Sequence, residues 1–339
     1  MKCHRAIART LLLLPLLLAV LALAPVPASA KPKIKIKDWE SIQVNRVTFP
    51  VTLSDGNVYS LVGYLYYKDS YSDRALQVAI HGGNYNHKYW DIPTLDGQPY
   101  SYARYMADEG YAVLAIDQLG AGESSHPDGD FMSIGEAALG VHQVLTALRS
   151  GANPLGHAFD SIVLVGHSLG SHTATLVQGL YNDADALVVT GATHVPYVLP
   201  IDPALIDGLV QQPYFELPPE TRADLFYHAP EAEPEVITYD QTELGDVLAR
   251  GFFFSIVPLT DDPAVTHVDD VTSPVLVQMG DQDLVAPASL AADEELTWTS
   301  ASEVTVQVIE DMGHSFNGHD DNVISFMLID EWIEETLDD

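Results

Sequence analysis

The segment Gly166-His167-Ser168-Leu169-Gly170 sets a serine hydroxyl between two glycines, directly after an apolar run at residues 161–165. An alcohol is a weak nucleophile near neutral pH, so a serine that attacks a carbonyl needs a base to take its proton and an acid to orient that base. Two later segments carry those residue types. Asp281-Gln282-Asp283 follows the apolar run 273–280, and Gly313-His314-Ser315 lies shortly after the run 303–309. The oxyanion formed by such an attack also needs backbone N–H donors. Leu169, opening a helix-length segment, offers one. The stretch His81-Gly82-Gly83-Asn84-Tyr85, after the apolar run 76–80, carries two glycines that would let a backbone approach a substrate oxygen closely.

These groups work together only if strands deliver them to one edge. Short apolar runs recur at residues 76–80, 111–116, 161–166, 186–191, 273–280 and 303–309. They are continuous rather than alternating, as in strands covered on both faces of a mostly parallel sheet. Helix-length segments at 101–109, 133–149, 169–181, 288–298 and 322–335 fit around them. Ahead of them, two β-rich runs between residues 42 and 67 flank Ser54-Asp55-Gly56-Asn57, which predicts a hairpin. The sum is an α/β chain with a doubly wound, mostly parallel eight-stranded sheet.

One interval breaks the pattern. Residues 194–272 separate two core strands, where about 2 to 6 residues are usual. Their prolines and aromatics, such as Pro213-Tyr214-Phe215 and Phe252-Phe253-Phe254, predict an inserted cap or lid over the carboxyl ends of the strands. The plainer reading is a segment packed for stability alone. The core is then expected from residues 31–193 and 273–339.

Four features resemble the α/β-hydrolase superfamily over roughly residues 42–335: the H-G-x loop, Asp117-Gln118-Leu119-Gly120-Ala121-Gly122-Glu123-Ser124 as a D-x-x-G-x-G-x-S turn, the G-x-S-x-G turn, and the Ser, Asp, His order. The resemblance implies Ser168 as nucleophile, His314 as base, and Leu169 with Gly83 or Asn84 as the oxyanion hole. It puts the acid at Asp283, through a G-x-x-D-x-x-x-P pattern over residues 280–287, with Asp281 as the alternative. It implies ester hydrolysis through an acyl-enzyme, of carboxylesterase or lipase type, with no metal or organic cofactor. Lactone, amide or peptide cleavage by the same groups, a cofactor-free peroxidase side activity, and a non-catalytic hydrolase-like binding protein stand as alternatives. Among the other histidines, His81 and His167 are expected to be structural, while His172 and His194 are candidates for the pocket wall; no H-E-x-x-H spacing suggests a metal.

Lys2, Arg5 and Arg9, an apolar stretch at 11–24 and Ala28-Ser29-Ala30 follow the order of a secretory signal peptide over residues 1–30. Pro15 interrupts the apolar run, so a stable membrane anchor is not expected. The expected location is secreted, extracellular or periplasmic. The single cysteine, Cys3, would leave with the signal, and packing without disulfides would hold the remainder.

The full sequence carries 48 acidic and 15 basic residues, a net charge of −33. Removing three basic residues with the signal leaves 48 against 12, or −36. Nucleic acid and anionic membranes are therefore excluded as partners, and a small-molecule or polymeric ester is the expected one. The acid excess is distributed along the chain, which fits adaptation to high salt; the alternative is an ordinary acidic exported surface. Salt adaptation predicts a melting temperature that climbs from low to molar NaCl, and a flat response would remove it.

Overall fold

The computed structural model describes residues 39–256 and 263–338; the expected signal segment lies outside them. Eight strands form the central sheet: β1 (Gln43–Thr52), β2 (Val58–Tyr67), β3 (Leu76–Ile80), β4 (Ala112–Ile116), β5 (Ile162–His167), β6 (Ala186–Thr190), β7 (Val275–Gly280) and β8 (Val304–Ile309). Their order across the sheet is β1-β2-β4-β3-β5-β6-β7-β8. β1 and β2 form the antiparallel hairpin, β2 meets β4 antiparallel, and all later neighbours run parallel. The expected α/β class and eight-stranded sheet are both present.

Continuous apolar strands are explained by two cores. On one face, Leu76, Val78, Ile80, Ile162 and Leu164 pack with Val141, Val144 and Leu148 of the helix α2 (Ile134–Ser150). On the other, Ala79, Val163 and Val165 join Met106 of α1 (Tyr102–Glu109) and Phe326 and Ile329 of the C-terminal helix Asn322–Asp338. Alternate residues of one strand thus serve opposite layers, so both sides are mostly apolar. Helix limits follow local chemistry. The Ser133 hydroxyl accepts from Glu136 N–H at the start of α2, and Gly151 ends it at φ 73°.

Helix α3 (Leu169–Tyr181) starts directly after Ser168. The segment expected to be one helix at 288–298 instead winds as a 3-10 turn at Ala288–Leu290 and a short α-helix at Ala291–Glu295. Glu294 lies in this short helix, and its carboxylate turns inward to bond Thr193 and His194. A small hairpin, Ile92–Leu95 with Gln98–Tyr100, was not expected from the apolar runs.

Between β6 and β7 the chain leaves the sheet and winds through α4 (Pro203–Leu209), α5 (Pro219–Phe226), α6 (Pro234–Tyr239) and α7 (Arg250–Ile256). A two-residue pairing of Tyr214–Phe215 with Leu248–Ala249 ties the excursion together. Among the described residues no helix is long and apolar enough to cross a membrane.

Candidate active site

β5 ends at His167, and the chain turns into α3 through Ser168, which is held at φ 53° and ψ −121°. That backbone is unfavourable for a residue with a Cβ and costs about 1–3 kcal/mol. The surroundings impose it. Ser168 N–H donates to Thr190 O at 2.8 Å, and Ser168 O accepts from Ser171 N–H at 2.9 Å. The flanking glycines are sterically required: a Cβ on Gly166 would run into the Ser171 backbone, and one on Gly170 into the Ile80 carbonyl. The turn therefore lifts the Ser168 side chain above the carboxyl end of the sheet.

His314 meets it there. His314 Nε2 lies 2.9 Å from Ser168 Oγ, and His314 Nδ1 lies 2.9 Å from Asp283 Oδ2. The other Asp283 oxygen accepts from Val285 N–H at 2.7 Å and Ala286 N–H at 2.9 Å, which fixes the carboxylate in place. A carboxylate can only accept, so the Nδ1 proton belongs to the Asp283 side and Nε2 is left as the acceptor for the serine hydroxyl. His314 and Asp283 are buried, at 1% and 4% exposure. Asp281 is exposed on the turn and takes no part. The three residues singled out in the sequence thus meet in one hydrogen-bonded line.

The loop after β3 passes directly beside the serine. A Cβ on Gly82 would come within 3.0 Å of Ser168 Cβ, and one on Gly83 would overlap the Leu169 side chain. This close approach is what glycine permits at both positions. Asn84, at φ 62°, sends its carbonyl to Asp246 N–H at 2.9 Å, and its side-chain oxygen accepts from Leu217 N–H at 2.8 Å. Gly83, Asn84, Ser168 and Leu169 all face one cavity.

The remaining histidines sort by their partners. His81 is a strut: its Nδ1 lies 2.8 Å from Gly82 O and its Nε2 accepts from Gln118 N–H at 3.0 Å. Burial lowers its proton affinity. His167 stacks on Tyr89 with ring centroids 4.3 Å apart, and burial pushes it well below the usual histidine range. Asp117, in the D-x-x-G-x-G-x-S turn, is likewise structural, accepting from His87 N–H at 2.8 Å and Glu123 N–H at 2.8 Å. His172 does reach the cavity wall, one helical turn beyond Ser168. His194 does not. It is 1% exposed and held by Glu294, a partner one hundred residues away that no local pattern discloses.

Burial, aided by the neighbouring His194 ring, pushes His172 down to about 3. The sign of the consequence is definite. The unfolded chain takes up this proton near the ordinary histidine value of 6.5 while the folded chain resists it, so stability is complete above that pH and is lost as pH falls toward about 3. Unfolding free energies from urea titrations of the wild type and His172→Gln should therefore diverge by about 2–3 kcal/mol between pH 7.5 and 4.5, with the wild type losing more. Parallel curves would contradict this assignment.

The cavity has a volume of about 520 Å³, within the range of small-molecule sites. Its walls come from the sheet edge and the excursion after β6, including Tyr197, Ile206, Phe215, Phe226 and Phe253. Among the described residues that line it, Asp207 is the one acidic side chain, and none is a lysine or arginine.

The sequence profile of the alpha/beta hydrolase family matches residues 77–326, which spans the serine, the acid and the histidine. The chain belongs to the alpha/beta hydrolase family. No curated protein matches it. Among solved structures, this hydrolase is similar to the esterase EaEST from Exiguobacterium antarcticum, with a TM-score of 0.62, 17% identity, and coverage of 84% of this chain and 98% of that one. A thermophilic esterase from Thermogutta terrifontis, with malate bound, gives 0.60 at 19% identity, covering 86% of this chain and 99% of that one. Est1E from Butyrivibrio proteoclasticus, with ferulic acid bound, gives 0.57 at 18% identity, covering 86% of this chain and 100% of that one. At these identities the likeness concerns the fold.

Proposed function

We propose that this α/β hydrolase is an exported serine esterase that cleaves neutral carboxylic esters through an acyl-enzyme. The observation that carries the reading is the line Ser168, His314, Asp283, with 2.9 Å at each step. His314 Nε2 takes the Ser168 proton as Oγ attacks the ester carbonyl, and Asp283 steadies the imidazolium. Leu169 N–H with Gly83 or Asn84 N–H receives the oxyanion. Collapse expels the alcohol with the proton from His314. Water, activated by the same histidine, then releases the acid.

The cavity supports the substrate charge and polarity. A carboxylate or phosphate in this largely apolar space would lose its hydration without a cation to replace it, a cost of several kcal/mol. Neutral acyl groups incur no such cost. The excursion over residues 194–272 acts as the cap that forms this chamber, and export is supported by the basic, apolar, A-x-A order at the N-terminus. The esterase names carried by structural relatives agree with this reading.

A substrate panel tests it. Butyrate and octanoate p-nitrophenyl esters should turn over. A hemisuccinate ester of matched size should show kcat/KM lower by at least about tenfold, given the desolvation cost. Lactones and the matching anilides complete the panel. Turnover of anilides with none of esters would replace the ester assignment by an amidase, and efficient hemisuccinate cleavage would remove the charge argument.

A further inference from the structure

A buried charge pair sits within the cap, apart from the Ser168, His314, Asp283 line. Asp240 opens a single π-helical turn at Asp240–Leu244 and is fully buried, as is Arg222 on α5. Arg222 Nε donates to Asp240 Oδ1 at 3.0 Å, and Arg222 Nη1 donates to Glu216 Oε1 at 2.6 Å and to Leu217 O at 2.8 Å. Two fully buried charges are costly, and such a pair is weak evidence for stability alone.

The second carboxylate oxygen points elsewhere. Asp240 Oδ2 accepts hydrogen bonds from the Tyr85 hydroxyl and, at 2.9 Å, from the Tyr227 hydroxyl. Tyr85 directly follows Asn84 in the loop beside Ser168. Tyr227 reaches the other loop: its oxygen accepts from Ser315 Oγ at 3.2 Å, and Ser315 N–H donates to Phe226 O at 2.7 Å. The Phe226 ring packs on both sides, 5.8 Å from Tyr85 and 5.0 Å from His314 between centroids. Burial first, and then Asp240, keeps both phenols protonated well above the usual tyrosine range, so each donates. One carboxylate therefore joins the oxyanion loop, the histidine loop and the cap.

We propose that Asp240 is a positioning residue whose carboxylate, through Tyr85 and Tyr227, sets the spacing between the oxyanion donors and His314. The cap thereby takes part in arranging the reacting groups as well as in forming the chamber. The proposal rests on the serine esterase reading above. A shift of a few tenths of an ångström between donor and base misplaces the transition state more than the bound ester, so the effect falls on kcat rather than KM.

The test uses Tyr85→Phe, Tyr227→Phe and Asp240→Asn, with Tyr102→Phe as a control. Tyr102 donates a buried hydroxyl hydrogen bond to Gln77 at 2.6 Å, so its variant also removes a buried tyrosine hydrogen bond but has no link to Asp240. On p-nitrophenyl butyrate, each hydroxyl variant should lose about tenfold in kcat with KM within about twofold, while Tyr102→Phe keeps kcat and loses only melting temperature. The double variant should fall by less than the product of the two singles, because both act through one carboxylate. Asp240→Asn leaves Arg222 poorly compensated and is scored only if its melting curve shows it folded. Unchanged kcat in both hydroxyl variants, or a loss matched by Tyr102→Phe, would overturn the proposal. Wild-type esterase turnover and its loss in Ser168→Ala are measured in the same series, so failure of the esterase reading is seen separately.

Discussion

Ser168→Ala is expected to lower kcat for p-nitrophenyl butyrate by at least about 10⁴-fold while KM changes little, because the nucleophile is lost and the cavity is kept. The residual rate should resemble what oxyanion donors and proximity give to attack by water. Folding should survive the change. Alanine shares the serine backbone strain at φ 53°, the Thr190 and Ser171 hydrogen bonds are main-chain, and the lost hydroxyl sits in a cavity wall where the chain does not depend on it. A melting temperature within a few degrees of the wild type, measured beside the rate, separates loss of chemistry from loss of structure. Retained turnover would remove Ser168 from its role.

Asp283→Asn should reduce kcat by about 10³- to 10⁴-fold, through a tautomer rather than through a lost contact. Val285 and Ala286 N–H groups both point at the Asp283 Oδ1 position, so an asparagine there must keep its oxygen on that side. Its amide nitrogen then faces His314 Nδ1, where Asp283 Oδ2 stood at 2.9 Å. A donor in that place forces Nδ1 to accept and moves the ring proton to Nε2, which can no longer take the serine proton. Asp281→Asn should leave kcat within about twofold, since that side chain is exposed on the turn. Equal losses in the two variants would reject the assignment of Asp283.

Much of this architecture is legible in the sequence, for identifiable reasons. Strands buried on both faces leave unbroken apolar runs, and LQVAI coincides with β3 while ALVVT coincides with β6. The residues gathered around Ser168 each follow such a run, so topology alone brings them to one edge. A local clue for the small hairpin was also present: Asp96-Gly97 at φ 44° and 80° is the Asp-Gly pair that such tight turns favour. Other features leave no local trace. The burial of Arg222 against Asp240 depends on how the cap folds onto two distant loops, and in sequence both residues look like ordinary surface charges. His194 shows the same limit: it is a candidate for the pocket wall in the sequence, and Glu294, distant in the chain, draws it inward.

The account turns on Ser168 being a nucleophile activated in the folded enzyme. A fluorophosphonate probe reads that directly, since attack by Oγ on phosphorus expels fluoride and leaves a stable adduct whose position peptide mass spectrometry can assign. The native wild-type protein should be labelled once per chain, on the peptide containing Ser168, with esterase activity lost in step. Ser168→Ala and heat-denatured protein should take up no label. Ester turnover without an adduct at Ser168, or a stoichiometric adduct at another residue, would contradict the account.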